Sequence, residues 1–380
     1  MGTEKNGDYA KMKVLYLGHY REYSGRSFAA MNHILALSSI GIDVSCRNIQ
    51  LTSHNQEVPE EIIRAEKNNL KNIDFCIQNV LPQYIVGTKK FKKNVAFCNL
   101  GSKIGKTHPW IPYFKMVDDL WVSNHSSQEM LKDINIKSTL IPYAFDTSIY
   151  SKEVDILNLG RYQNKFKFYF IGNLDDRKNI DGIIRSYLRA FKKSDPVCMV
   201  MKVRKFGRTD QQIQEMMRNK IESIKSHLNI YKKSEHYPDL LVVSQDLTND
   251  QIQSLHKTCD CFVGISHGEG WCIPAYEAMC YGNTPICSKQ GGPLDFIDEN
   301  NPKTGTLING IYSTCSHSEP PFPNIFTGNE TWFIPSEEET SNVMKYYFNN
   351  RLQKSTDGLE CGENFSHSRV GQKIKEALHE

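Results

Sequence analysis

The feature that most constrains this chain is an alternation that runs twice. "KVLYLG" (13–18) is a short apolar run ending in glycine. "SGRSFAAMNHILALSSIG" (24–41) follows with a Ser N-cap, apolar residues at helical spacing and a terminal Gly. "IDVSCRNI" (42–49), "IDFCIQNV" (73–80), "NVAFCNLG" (94–101), "DDLWVSN" (118–124) and "STLIPYAF" (138–145) continue the series of strands. Polar, weakly periodic "DTSIYSKEVDILNLGRYQNK" (146–165) interrupts it and reads as a linker. The alternation then restarts. "FKFYFIG" (166–172), "PVCMVMKVR" (196–204), "DLLVVS" (239–244), "CFVGIS" (261–266) and "TPICS" (284–288) read as strands. Helices are expected at 179–193, 209–233, 248–259, 274–282 and from 293, with two more at 336–355 and 369–378. Repeated strand–helix–strand units imply parallel sheets with helices on both faces. The expectation is α/β: two doubly wound, Rossmann-like domains over 12–150 and 151–350, preceded by a disordered tail at 1–11 and followed by a helical segment at 351–380.

Length supports two units, since 380 residues exceed the roughly 150–200 that one core usually serves. Net charge is only +3. Residues 1–150 hold 18 Lys/Arg against 14 Asp/Glu, near +4, and the remainder is near −1. That bias is too weak to imply nucleic acid. It is compatible with an acidic acceptor, or with peripheral contact to an anionic membrane through "KKFKK" (89–93), although a solvated face is the plainer reading. No apolar stretch is long enough to span a membrane, and the N-terminal residues lack a signal-peptide core. The eleven cysteines sit mostly in apolar runs without CxxC spacing, so buried thiols in a reducing cytosol are expected, with no metal site.

"HGEGWCIPAYEAM" (267–279) carries the chemistry. It joins a strand to a helix, where open α/β sheets bind ligands. Gly268 and Gly270 let backbone approach a ligand, and the helix start favours an anion such as a diphosphate. Glu277 has a carboxylate suited to a vicinal diol such as a ribose, and Glu269 one suited to the hydroxyls of a second ring. A turn glutamate beside a helix-dipole glutamate is the structural alternative.

The Glu269–Glu277 pair, E-x7-E within "GEGWCIPAYEAMCYGNTPICS", closely resembles the signature of the retaining GT-B glycosyltransferases, family 4 above all. "FIGNLDDRKNIDGII" (170–184) resembles the family's donor-diphosphate loop, and "SKQGGPLDFI" (288–297) its second glycine-rich turn. "IPYAFDTSIY" (141–150) and the opening β-α-β unit (12–44) are similar to its N-terminal half in outline. The resemblance implies a GT-B fold whose domains face a cleft, with the C-terminal helices crossing back to the N-terminal domain. It implies that Glu277 binds the donor ribose, Glu269 the sugar hydroxyls and Lys178 the diphosphate, with Arg177, Gly172, Gly270 and Trp271 around the donor. Gly291 and Gly292 add either amides to the cradle or only a turn. Gly25, which ends "GHYREYSG" (18–25), and Arg26 after it lie near donor and acceptor, and His108, in "GSKIGKTHPW", lies beside the sugar. Trp110 reads as core. One departure stands out. The family's basic residue after the strand glycine is Asn173 here, so Arg177, Lys202 or Arg204 must compensate, or the leaving group is held less well.

The function implied is hexose transfer from GDP-mannose or a UDP-hexose to a glycan or other hydroxyl, with retention, an α-linkage, and no metal or cofactor. The readings kept open are a sugar-nucleotide epimerase or hydrolase and a catalytically silent nucleotide-sugar binding protein. Acceptor and oligomeric state are not legible.

Overall fold

The computed structural model describes residues 12–51, 56–315 and 327–380. The tail expected at 1–11 lies outside them. The first domain contains strands β1 (Lys13–Gly18), β2 (Asp43–Asn48), β3 (Phe75–Asn79), β4 (Lys93–Cys98), β5 (Asp119–Val122) and β6 (Thr139–Leu140). Its helices are α1 (Gly25–Ser39), α2 (Glu60–Lys67), α3 (Ile111–Phe114) and α4 (His125–Asp133). All six strands are parallel, in the order β2-β1-β3-β4-β5-β6. α1 starts where Ser24 accepts a hydrogen bond from the Ser27 amide, and it buries Ala29, Ala30, His33, Ile34 and Leu37 against the sheet. β6 is shorter than expected, because Pro142 has no N–H to extend the ladder.

The chain from 146 to 165 holds two single 3-10 turns, Thr147–Ser151 and Gly160–Tyr162, and no strand or α-helix. The second domain then contains β7 (Phe166–Asn173), α5 (Ile180–Ala190), β8 (Val197–Arg204), α6 (Asp210–Leu228), β9 (Asp239–Val243), α7 (Asn249–Thr258), β10 (Cys261–Gly264), α8 (Ile273–Cys280), β11 (Ile286–Ser288), α9 (Pro293–Phe296) and β12 (Thr306–Ile308). Its order is β12-β11-β10-β7-β8-β9, again parallel. An antiparallel hairpin of β13 (Gly310–Thr314) and β14 (Thr331–Pro335) follows, then α10 (Glu337–Asn350), α11 (Asp357–Gly362) and α12 (His367–His379).

The last helix returns to the first domain. α12 packs on α1, with Gly371 against the Ala36 carbonyl. Lys93 Nζ donates to Ala377 O at 2.7 Å, and the Phe145 amide to Phe365 O at 2.9 Å. An aromatic layer also joins the domains. Phe145 stacks on Tyr276 with ring centroids 3.8 Å apart, and Tyr143 on Trp271 at 5.6 Å and 7° between planes. Burying four such rings in one seam stabilises the closed arrangement, at about 0.5–1.5 kcal/mol per aromatic pair beyond area burial.

Candidate active site in the interdomain cleft

In the second sheet the strand order reverses between β7 and β10. Open α/β sheets bind their ligands at such a point, where the loops leaving the two strands diverge. The loop after β7 closes with Asp175 accepting from the Lys178 amide at 3.1 Å. Asn179, at φ 51°, ties it to β10 by donating to Ile265 O at 2.9 Å. The loop after β10 ends at Cys272, at φ 70°, and α8 begins there with no side-chain cap. The amides of that first turn therefore have no side-chain acceptor.

Glu269 sits buried between the two loops. Lys178 Nζ is 2.6 Å from its Oε1 and Arg177 Nη1 3.3 Å from its Oε2. Ser266 Oγ donates to Oε1 at 2.8 Å. Burial pushes the Glu269 carboxyl up, but the Lys178 and Arg177 charges and the Lys178 and Ser266 hydrogen bonds outweigh it, holding the pKa at about 2. Arg177 also donates to the Gly268 carbonyl, bracing the second loop. The close approach of backbones dictates glycine at two positions here. A Cβ on Gly268 would lie 1.6 Å from Gly101 O of the first domain, and one on Gly291, at φ +67°, 2.1 Å from Glu269 O. Gly292 packs equally closely against Trp271.

Glu277 lies past the first turn of α8, with 19% of its side chain exposed. Its carboxylate makes no hydrogen bond among the described residues, and His256 Nε2 approaches Oε2 at 3.5 Å. Both oxygens thus retain acceptor capacity. Lys202, near the end of β8, is 5% exposed, and its side chain has no hydrogen bond or ion pair among the described residues. Burial, then Arg204 beside it, pulls its pKa below the usual lysine value. Arg204 is engaged, with Asp210 at 2.8 Å, Asp246 at 3.0 Å and Ser244 O at 2.9 Å. Gly172 and Asn173 end β7, and Asn173 is exposed. Of the three candidates to offset Asn173, the Arg204 side chain is tied to Asp210, Asp246 and Ser244, Arg177 is held on Glu269, and Lys202 is uncommitted among the described residues.

The first domain supplies the opposite wall. Gly25 opens α1 within van der Waals reach of Ile273, at the start of α8. Ser123 Oγ donates to the Gly270 carbonyl at 2.9 Å, and Asn124 Nδ2 donates to the same oxygen. Asn99, which no sequence motif marks, brings its buried Oδ1 beside Gly270, and that oxygen has no hydrogen-bond partner among the described residues.

Two of the expected site residues make internal contacts of their own. His108 lies between Glu330 and the Trp110 amide. Its Nε2 is 3.0 Å from Glu330 Oε1, and its Nδ1 accepts from the Trp110 amide at 3.2 Å, so both ring nitrogens are committed. Glu330 lies just before β14, far away in sequence, and no local pattern announced it. Trp271 is 1% exposed and packed on Tyr143 and Phe365, so its side chain belongs to the interdomain seam and offers no ligand surface. Trp110 is core, as expected. In the 89–93 run, Lys89, Lys92 and Lys93 pair with Asp118, Asp74 and Asp119, and the Lys89 and Lys92 side chains remain largely exposed. No helix among the described residues is long and apolar enough to cross one.

Comparison with known proteins agrees with this geometry. Residues 151–310 match the family model described as glycosyl transferases group 1. No curated protein matches significantly in sequence. Among solved structures, Anabaena HepE in complex with UDP and glucose is similar, with a TM-score of 0.61 and 13% identity over 97% of this chain and 99% of that one. Sucrose-phosphate synthase from Thermosynechococcus elongatus gives 0.63 and 13% over 97% and 98%. A glycosyltransferase from Rickettsia africae gives 0.60 and 13% over the same shares. At such identities the likeness is one of fold. The chain has the two-domain GT-B fold, and its second domain, over 151–310, carries the pattern of the group 1 glycosyl transferases.

Proposed function

We propose that this protein is a retaining glycosyltransferase. It moves a hexose from a nucleotide diphosphate sugar, GDP-mannose or a UDP-hexose, to a hydroxyl of a glycan or other acceptor, forming an α-linkage. The observation that carries this reading is the crevice between β7 and β10, where a buried carboxylate and two cations meet an uncapped helix start. A diphosphate suits those amides and Lys178. The donor ribose suits Glu277, and Glu269 suits the sugar hydroxyls. HepE, solved with UDP and with UDP-glucose, supports a nucleotide-sugar donor for this fold.

In the reaction the C1–O bond to the diphosphate breaks, and its electron pair stays on phosphate. Lys178, the helix amides and Lys202 stabilise that charge as it develops. The acceptor oxygen adds to the same face, and its proton passes to a phosphate oxygen. Glu269, ionised throughout the physiological range, orients the sugar and supports positive charge at C1. No step needs a metal. The neutral Asn173 favours one other reading, a silent nucleotide-sugar binding protein.

The test is a panel of GDP-, UDP-, ADP- and dTDP-hexoses, read for binding and nucleotide release, then repeated with mixed glycan acceptors. Transfer is expected with one donor, together with slow acceptor-free hydrolysis. Tight binding without release under any condition supports the silent reading. Fast acceptor-independent turnover supports an epimerase or hydrolase.

A further inference from the structure

We propose that His256 is a positioning residue that aims the Glu277 carboxylate at the donor. This rests on the reading of Glu277 as the group that receives the ribose diol. The carrying observation is a hydrogen-bond chain on the face of the second sheet that α7 and α8 cover. Asn283 Nδ2 donates to Tyr169 Oη at 2.8 Å, and also to the His256 carbonyl at 2.8 Å. Tyr169 Oη lies 2.7 Å from His256 Nδ1. The phenol oxygen accepts from Asn283, and Nδ1 is the acceptor within hydrogen-bond reach of its own proton. Nδ1 is then an acceptor, and the ring proton sits on Nε2.

That N–H is fully buried and has no hydrogen-bond partner among the described residues. It faces Glu277 Oε2 at 3.5 Å. A buried donor without an acceptor is costly, and a small approach of the carboxylate converts the contact into a charge-assisted hydrogen bond. The imidazole cannot turn away. It stacks on Tyr281 with centroids 5.5 Å apart and 16° between planes, and Tyr169 meets it edge-on. Its backbone carbonyl also accepts from Lys354 Nζ at 3.1 Å. One oxygen of Glu277 is thus steered by a fixed N–H, and the other is presented in a defined direction, as bidentate recognition of a diol requires. A histidine kept only for packing would need neither the Tyr169–Asn283 chain nor an Nε2 placed 3.5 Å from a carboxylate oxygen.

The experiment titrates UDP and GDP, and their 2′,3′-dideoxy counterparts, into wild-type protein and into Glu277→Ala, His256→Phe and His256→Gln. Each variant's melting temperature is recorded. His256→Phe is expected to weaken the ribonucleotide about tenfold or more, as loss of a hydrogen bond to a charged group does. It should leave the dideoxynucleotide unchanged. That unchanged value also shows that the donor domain is folded. His256→Gln keeps an N–H at the Nε2 position and should recover most of the affinity. Equal weakening of both nucleotide forms by His256→Phe overturns the proposal, as does failure of Gln to rescue. If Glu277→Ala discriminates ribose but His256→Phe does not, positioning fails while the ribose reading stands. If Glu277→Ala leaves the ribonucleotide unchanged, or wild type binds neither nucleotide, the ribose reading fails and the proposal with it.

Discussion

The two sheets share one plan, but they treat the ionic groups at their switch points differently. In the first domain, the loop after β1 ties its charges down within its own domain. His19 donates to Ile49 O and accepts from the Leu81 amide, and Arg21 grips Glu66 of α2 through two bonds of 2.8 and 2.6 Å. Both partners of that pair remain about a quarter exposed. In the second domain, Arg177 and Lys178 converge on a carboxylate buried at the seam between domains. The fold is the same, and the chemistry follows where charge is buried beside an uncapped helix start. The first pair is surface electrostatics, worth about 0–1 kcal/mol. The second is a buried cluster that is costly to break on one side.

Substitutions can break that comparison, and the largest effect is expected at Glu269. Glu269→Gln removes the counter-charge of two partly buried cations. Transfer should fall by about 10³-fold, and urea unfolding should show a loss of about 3–5 kcal/mol. The pH dependence sharpens this. Held at about 2 against an ordinary 4.5, the Glu269 carboxyl contributes stability that is fully present above pH 4.5 and is lost as pH falls towards 2. The variant should lose that part of the acid transition. An unaltered acid limb would show that Glu269 is not held by its cations.

Lys178→Met comes next, with kcat/KM expected to drop about 100-fold in steady-state assays. Lys202→Met tests the compensation for Asn173. Replacing a buried, unpaired ammonium by an apolar chain should raise the melting temperature, while nucleotide-sugar affinity falls about tenfold in calorimetry. Weaker binding without the thermal gain would mean that Lys202 has a partner in solution. The smallest effect is expected at Arg21→Met, with under about 1 kcal/mol in stability and unchanged transfer. A large catalytic loss there would abolish the distinction between the two loops.

Much of this was legible in the sequence where local pattern and tertiary burial agree. The six strands of the first sheet, five of the six in the second, the interruption at 146–165 and the glycine–glutamate loop follow from periodicity, caps and close backbone approach; the three-residue β12 was too short to stand out. β13 was not legible, because all five of its residues are exposed and nothing in it alternates. α2 opens on Pro59 with no side-chain cap, and α4 is too polar over its nine residues to show an apolar stripe. In the site, residue types were readable but their pairings were not. Lys178 was read against a diphosphate, whereas its Nζ lies on Glu269. The Trp271 ring packs between Tyr143 and Phe365, contacts from distant segments that no local pattern announces. His256 drew no attention, since a histidine on a helix face gives no sign of a tyrosine from a distant strand fixing its tautomer.

The central claim is that ligand chemistry resides at the second sheet's switch point. Amide hydrogen exchange with and without the tightest-binding sugar nucleotide tests it most directly. The account predicts new protection concentrated in 172–182 and 264–280, the loops after β7 and β10 and the start of α8. Protection confined to 19–26 and the loop after β3, or no change anywhere at saturating nucleotide, would contradict it.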